Sequence, residues 1–194
     1  MSTTETLIAI IVPIVVILAL ITLVVFFVVR RRRLRERFGP EYDRAVQSGD
    51  GRLAAERELH SREKRHRDLD IRELPPGARE RYAEDWNKAQ QEFVDHPDRS
   101  VTDADRLVTQ LMRDRGYPTE GFEQRLKDLS VEHANTLEQY RAAHDISRRN
   151  EQGEATTEEL RGAMVHYRAL FQELLGGTDG TGGTHRRGDS PHAA

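Results

Sequence analysis

Eight histidines (His60, His66, His96, His133, His144, His166, His185 and His192) are the first place to look for acid–base or metal chemistry in this 194-residue chain. Glu63-Lys64-Arg65-His66 has the Glu-x-x-His spacing that puts two metal-ligating groups on one helix face. A dinuclear bundle site needs a second such motif and two more carboxylates from other helices. No second copy occurs, and Arg62, Lys64, Arg65 and Arg67 would repel a cation, so the motif reads as a solvated face. Glu132-His133 and His144-Asp145 are adjacent pairs, which point in different directions on a helix. His166 sits beside a Met164–Tyr167 apolar stripe and reads as a boundary residue. The chain has no cysteine, and it contains no glycine-rich phosphate loop, serine-centred elbow or HExxH. The sequence therefore nominates no catalytic residue, no cofactor and no metal site, and it is read as no enzyme.

The residues with the clearest chemistry are arginines. Arg30, Arg31, Arg32, Arg33, Arg35 and Arg37 follow directly on Leu7–Val29, in which 21 of 23 residues are apolar. At ~1.5 Å per residue those 23 residues make a helix of roughly 34 Å, the length of a transmembrane span. The leader MSTTET has no Lys or Arg, unlike a cleaved signal peptide. The positive-inside rule then predicts a single-pass protein of the cell membrane. Residues 1–6 are expected outside, 7–29 in the bilayer, 30–38 as a basic juxtamembrane segment, and the remainder in the cytoplasm. The six arginines are expected to set topology and to contact anionic lipid, at roughly 1 kcal/mol per basic residue, making membrane lipid a partner through residues 7–38. No small-xxx-small motif interrupts the apolar run, so dimerisation through it is not expected, and the oligomeric state is left open. Beyond Pro40 there remain 24 basic and 31 acidic residues, a balance of −7 that lacks the basic surface nucleic acid requires. No nucleic acid is expected.

Behind these residues the chain reads as all-α. Gly39-Pro40 ends one helix and opens the next. Segment 40–74, with sparse Leu53, Leu59 and Leu69, reads as a polar helical connection. A helical bundle is expected over 78–176. Its first helix carries Ala78, Tyr82, Trp86, Ala89 and Phe93 at steps of three and four. The next is expected to start at Ser100-Val101-Thr102-Asp103, the following short one holds Phe122, Leu126 and Leu129, and another is expected from about Val131 to Arg149. Thr156 and Glu159 make a capping box for the last helix. Residues 178–194, with glycines and no large apolar side chain, are expected to be a disordered tail.

The aromatics Tyr82, Trp86, Phe93, Tyr117, Phe122, Tyr140, Tyr167 and Phe171 fall at helical spacing and read as core. Tyr140 and Arg141 are the expected exposed edge at which a protein partner, of unknown identity, would bind.

Four phrases, Arg37-Phe38-Gly39-Pro40-Glu41-Tyr42-Asp43-Arg44, Asp128-Leu129-Ser130-Val131, Tyr140-Arg141-Ala142-Ala143-His144 and Met164-Val165-His166-Tyr167-Arg168, resemble those of an uncharacterised group of bacterial single-pass membrane proteins with a cytoplasmic helical domain. The resemblance covers about 37–176. It implies an anchor joined to a helical domain, and no known activity. The functional expectation is a membrane-anchored, non-enzymatic interaction or scaffolding module. The alternative is a small-ligand-binding or enzymatic helical domain tethered to the membrane.

Overall fold

The computed structural model describes residues 3–49 and 51–176, with side chains from Val15 onward. Among these residues there are eight α-helices and no strand, so the all-α expectation stands. They are α1 (Thr3–Phe38), α2 (Pro40–Ser48), α3 (Arg52–Arg67), α4 (Ala78–Glu92), α5 (Pro97–Asp114), α6 (Phe122–Leu129), α7 (Leu137–Glu151) and α8 (Thr157–Gly176). The expected tail at 178–194 lies outside the described residues.

The single-pass expectation is overturned. Among the described residues no helix is long and apolar enough to cross a membrane. A span needs about 20 apolar residues, and Arg30–Arg33 end the apolar stretch with four charges in succession. With the span fall the topology built on it, residues 1–6 outside and the rest in the cytoplasm, and the cell-membrane location. What remains is a helix whose large apolar residues from Val15 to Val29 are 45–59 % exposed.

The chain divides into two compact units, Met1–Asp70 with Glu120–Glu138, and Ile71–Thr119 with Gln139–Ala194. The boundaries differ from a connection at 40–74 followed by a bundle at 78–176, because the core of the first unit draws on both stretches. Leu34 and Phe38 of α1, Tyr42 of α2, Leu59 of α3 and Val131 after α6 form one buried cluster, with Ala45 and Val46 against it. Gly39 makes the bend that lets α1 and α2 share this cluster. Its φ of 45° lies in the left-handed region, where only glycine is free of a Cβ penalty, and its N–H closes on the Arg35 carbonyl at 2.9 Å. Pro40 then opens α2 as its first residue.

Helix α3 is not a solvated spacer. It buries Ala55, Leu59 and His66, and Arg62 on the same face is only 16 % exposed. Steps of four, three and four make a core stripe half of whose members are polar, which is why apolar periodicity did not reveal it. Polar contacts complete the packing: Tyr42 donates to Glu56 at 3.2 Å, and Arg65 Nε donates to the buried Asp128 at 2.9 Å. After α6 the chain runs in turns before α7 starts at Leu137, six residues later than expected. His133 N–H bonds to Leu129 O at 2.8 Å and Thr136 N–H to His133 O at 3.1 Å. No breaker residue marks this stretch; the burial of Val131 and His133 fixes it.

In the second unit α5 packs along α8 and α4 covers both. Trp86 stacks on Phe171 with centroids 4.6 Å apart, and Tyr82 meets the same ring edge-on. Of the eight aromatics read as core, Phe93 and Phe122 are half-buried and the other six are buried. Helix α5 begins at Pro97, ahead of the expected Ser100 start. A proline at the first helical position gives up an N–H that has no partner there in any case, and Ser100 instead bonds back to His96 O through both N and Oγ at 3.0 Å. The helix closes on Gly116, φ 92°, with Tyr117 N–H to Met112 O and Gly116 N–H to Arg113 O, both 2.9 Å, a Schellman ending. Arg115, itself buried, donates to Leu174 O at 2.9 Å, and Arg79 donates to Gly176 O at 3.2 Å. Two guanidiniums thus satisfy carbonyls at the negative end of α8.

The capping box of α8 forms as expected. Thr156 N–H donates to Glu159 Oε2 at 2.8 Å and Glu159 N–H to Thr156 Oγ1 at 3.3 Å, while Arg149 reaches Glu159 Oε1 at 2.7 Å. The Arg149 hydrogen bond, then those from Thr156, lower the Glu159 carboxyl from 4.5 to about 2. A depressed carboxyl stabilises the fold above its unfolded value, and that contribution is lost as pH falls toward the folded value. Urea unfolding of Glu159→Gln should therefore be weaker than wild type at neutral pH, with the difference shrinking between about pH 4.5 and 2. In the first unit, Phe38→Ala should cost about 3–5 kcal/mol by the same measurement, since its ring is fully buried.

Candidate functional site

The arginines that follow the apolar run are not equivalent once α1 is seen to stay helical through Phe38. Positions 30, 33, 34 and 37 are spaced three and four apart and share one face. Leu34 anchors that face in the core, which holds Arg30, Arg33 and Arg37 beside α3. Between the two helices lies an open groove of about 920 Å³, lined by Phe26, Val29 and Leu34 together with the three arginines, Glu36, His60 and Glu63. Arg31, Arg32 and Arg35 point elsewhere: Arg32 pairs with Glu36 at 2.8 Å and Arg35 with Asp43 at 3.4 Å.

A polar chain crosses the groove. Arg30 Nε donates to His60 Nε2 at 2.8 Å, His60 Nδ1 faces Glu63 Oε2 at 3.2 Å, and Glu63 Oε1 lies 3.5 Å from Arg37. An arginine nitrogen can only donate. His60 Nε2 is therefore the acceptor of that bond, and Nδ1 faces Glu63. The Glu63 carboxylate pairs with Arg37, Glu36 is turned to Arg32, and Arg30 meets the His60 ring and no carboxylate. Arg33 has no hydrogen-bond or ion-pair partner among the described residues. The groove thus presents two guanidiniums without a counter-charge next to apolar Phe26 and Val29. None of its lining residues is a serine, threonine or lysine, and the free lone pair of His60 is already taken. This arrangement suits the binding of an anion better than nucleophilic chemistry.

Glu63 and His66, the pair at metal-ligand spacing, are drawn apart by their partners. Glu63 faces His60 and Arg37, whereas His66 is buried with Nε2 3.7 Å from Glu132. The solvated face expected here holds for Lys64 and Arg65 but not for His66. Among the described residues no group of three His, Asp or Glu could hold a metal ion.

Tyr140 is not an exposed edge. It is fully buried, its ring 6.1 Å from that of Tyr167 and 6.5 Å from His144. The apolar contact stripe Leu137–Tyr140–Ala143 turns it inward, and Arg141 beside it is half-buried. Around Tyr140 the second unit encloses a polar set that spacing alone did not reveal. Tyr167 O–H donates to Asp105 Oδ1 at 2.8 Å, and His144 Nδ1 lies 3.8 Å from the same oxygen. Burial first, then the Asp105 charge, push the Tyr167 hydroxyl far above its ordinary value. A phenol held so firmly protonated ties α8 to α5 and is no base at neutral pH. Tyr82 is raised in the same way, by burial and by its 2.8 Å bond to Asp114.

Comparison with protein-family models finds no match, and no curated protein or solved structure is significantly similar to the chain. The four phrases singled out in the sequence each contribute buried residues: Phe38 and Tyr42, Leu129 and Val131, Tyr140 and Ala143, Met164 and Tyr167.

His66 gives the first unit a pH dependence. Burial lowers its pKa below 6.5, outweighing the raising effect of Glu132, while Arg37 and His133 lower it further and Asp128 raises it. The unfolded chain therefore takes the proton first, so stability is full above about 6.5 and declines as pH falls through the folded value. His66→Gln should show a shallower decline below pH 6.5 in denaturant titrations; an unchanged slope would mean that His66 is not the group responsible.

Proposed function

We propose that this protein is a non-enzymatic interaction module that presents the apolar stretch Val15–Val29 of α1 to a protein partner. One observation carries the reading: fifteen consecutive residues, every large apolar one of them about half exposed, continue a helix whose other end is locked in a core. Monomeric proteins rarely leave a contiguous apolar surface of this kind uncovered, and where they do it is an interaction site. A helix apolar on all sides has no polar face to turn to water, and the described residues leave this one exposed. The exposed Val94 and Val165 are isolated by comparison. The second reading, a small-ligand binder, draws on the groove between α1 and α3.

Truncation tests of this reading have to respect the core. Removing residues 1–38 would take Leu34 and Phe38 with it and unfold the first unit, so the cut belongs after Val29. A photo-crosslinking residue at Ile17 or Val24 of the full chain in cells should give a discrete protein adduct, and the same residue at Val94 should not. A competing chain lacking 1–29 should fail to suppress the adduct. Lipid adducts alone at Ile17 and Val24, or protein adducts of equal yield at Val94, would overturn the proposal.

A further inference from the structure

The groove between α1 and α3 supports an inference that rests on other observations than the interaction reading: it shares Phe26 and Val29 with the apolar stretch, and its remaining lining comes from residues 30–37 of α1 and from α3. We infer that it is a binding site for a single-chain anionic amphiphile, a molecule with one phosphate or carboxylate head and an alkyl tail. The volume, about 920 Å³, is in the range of small-molecule sites. Its two ends differ in chemistry along the helix axis. Phe26 and Val29 make the apolar end, and Arg30, Arg33 and Arg37 the cationic end, with Phe26 and Arg33 about 10 Å apart at ~1.5 Å per residue.

Charge accounting selects the head group. Of the three groove arginines, Arg37 is paired with Glu63, whereas Arg30 meets the His60 ring and no carboxylate, and Arg33 meets no partner among the described residues. Two guanidiniums one helical turn apart are a fork for a single carboxylate or phosphate, whose oxygens accept paired N–H donors. A second anion would face Glu36 and Glu63. The apolar end has no purpose for a free inorganic ion, and it lies on the side toward which a tail would run. A nonspecific basic cluster would treat all six arginines alike, whereas the groove separates Arg30 and Arg33 from Arg31, which does not line it.

Native mass spectrometry of the full chain tests this. Neutral dodecyl maltoside keeps the exposed apolar stretch in solution, and dodecyl phosphate serves as the probe. Wild type should retain one dodecyl phosphate, with dodecanol retained at least about tenfold less. Arg30→Ala and Arg33→Ala should each lower occupancy by about tenfold, the scale of one charge-assisted contact, and Arg31→Ala should leave it unchanged. Arg33 bonds to nothing in the fold, so its loss does not unfold the groove. Inorganic phosphate at the same concentration should not displace the probe. The inference is overturned if Arg31→Ala costs as much as Arg33→Ala, if several probes bind every variant alike, if inorganic phosphate displaces the probe, or if dodecanol binds as well as dodecyl phosphate.

Discussion

The first unit depends on one contact, the burial of Leu34 and Phe38 against Tyr42, Leu59 and Val131. These two residues lie one turn apart on a helix whose other described side chains are all exposed. Without them α1 would have no fixed relation to α2 and α3. With them, the register of the whole helix is set, because a rigid helix pinned at two successive turns cannot rotate. Everything said about which arginine faces which neighbour follows from that pin. The bend at Gly39 serves the same end, since it folds α2 back so that Tyr42 closes the cluster, and a side chain there would strain the positive φ and come within 3.4 Å of Asn135 Oδ1.

Six arginines within eight residues look interchangeable as letters, and a rule that counts charge treats them so. Helical geometry separates them. Arg32 and Arg35 find carboxylates on α1 and α2, Arg37 finds one on α3, and Arg30 finds the His60 ring. Exposed pairs of this kind contribute at most about 0.2–1 kcal/mol each, so they do little for stability. Their consequence is the distribution of what is left over. Pairing removes charge from half of the cluster, Arg32, Arg35 and Arg37; of the other three, Arg30 and Arg33 line the groove beside Phe26, Val29 and Leu34, and Arg31 does not.

The helices and most of their ends were legible because local chemistry decides them. Gly39-Pro40, the Thr156–Glu159 box and the Gly116 stop each act within a few residues. The cores at α4, α5 and α8 were legible because their apolar spacing is regular. What was not legible depends on residues far apart in the chain. Val131 joins a cluster with Leu34 and Leu59, so α7 starts late although nothing nearby stops it from starting early. His66 and Arg62 sit on a buried face of α3 that a hydropathy pattern scores as polar. Tyr140 looked like an edge because it stands among Glu138, Gln139 and Arg141, yet its own helical stripe turns it toward Tyr167. The apolar run at α1 misled in another way. Composition from Leu7 onward suggested a span, while among the described residues no helix is long and apolar enough to cross a membrane.

Three buried donors of the second unit are matched to a backbone carbonyl or a carboxylate on a different helix: Arg115 to Leu174 O, Tyr167 to Asp105, Tyr82 to Asp114. An unmatched polar group at such positions would cost about 1–3 kcal/mol, and apolar packing alone leaves helices free to slide by a turn. The pairs join α5 to α8 and α4 to α5 at fixed heights, so they set register where ridges and grooves leave it degenerate. A hydroxyl whose acceptor is an aspartate, and whose burial raises its pKa, is held as a donor, and each such donor fixes the height at which its two helices meet.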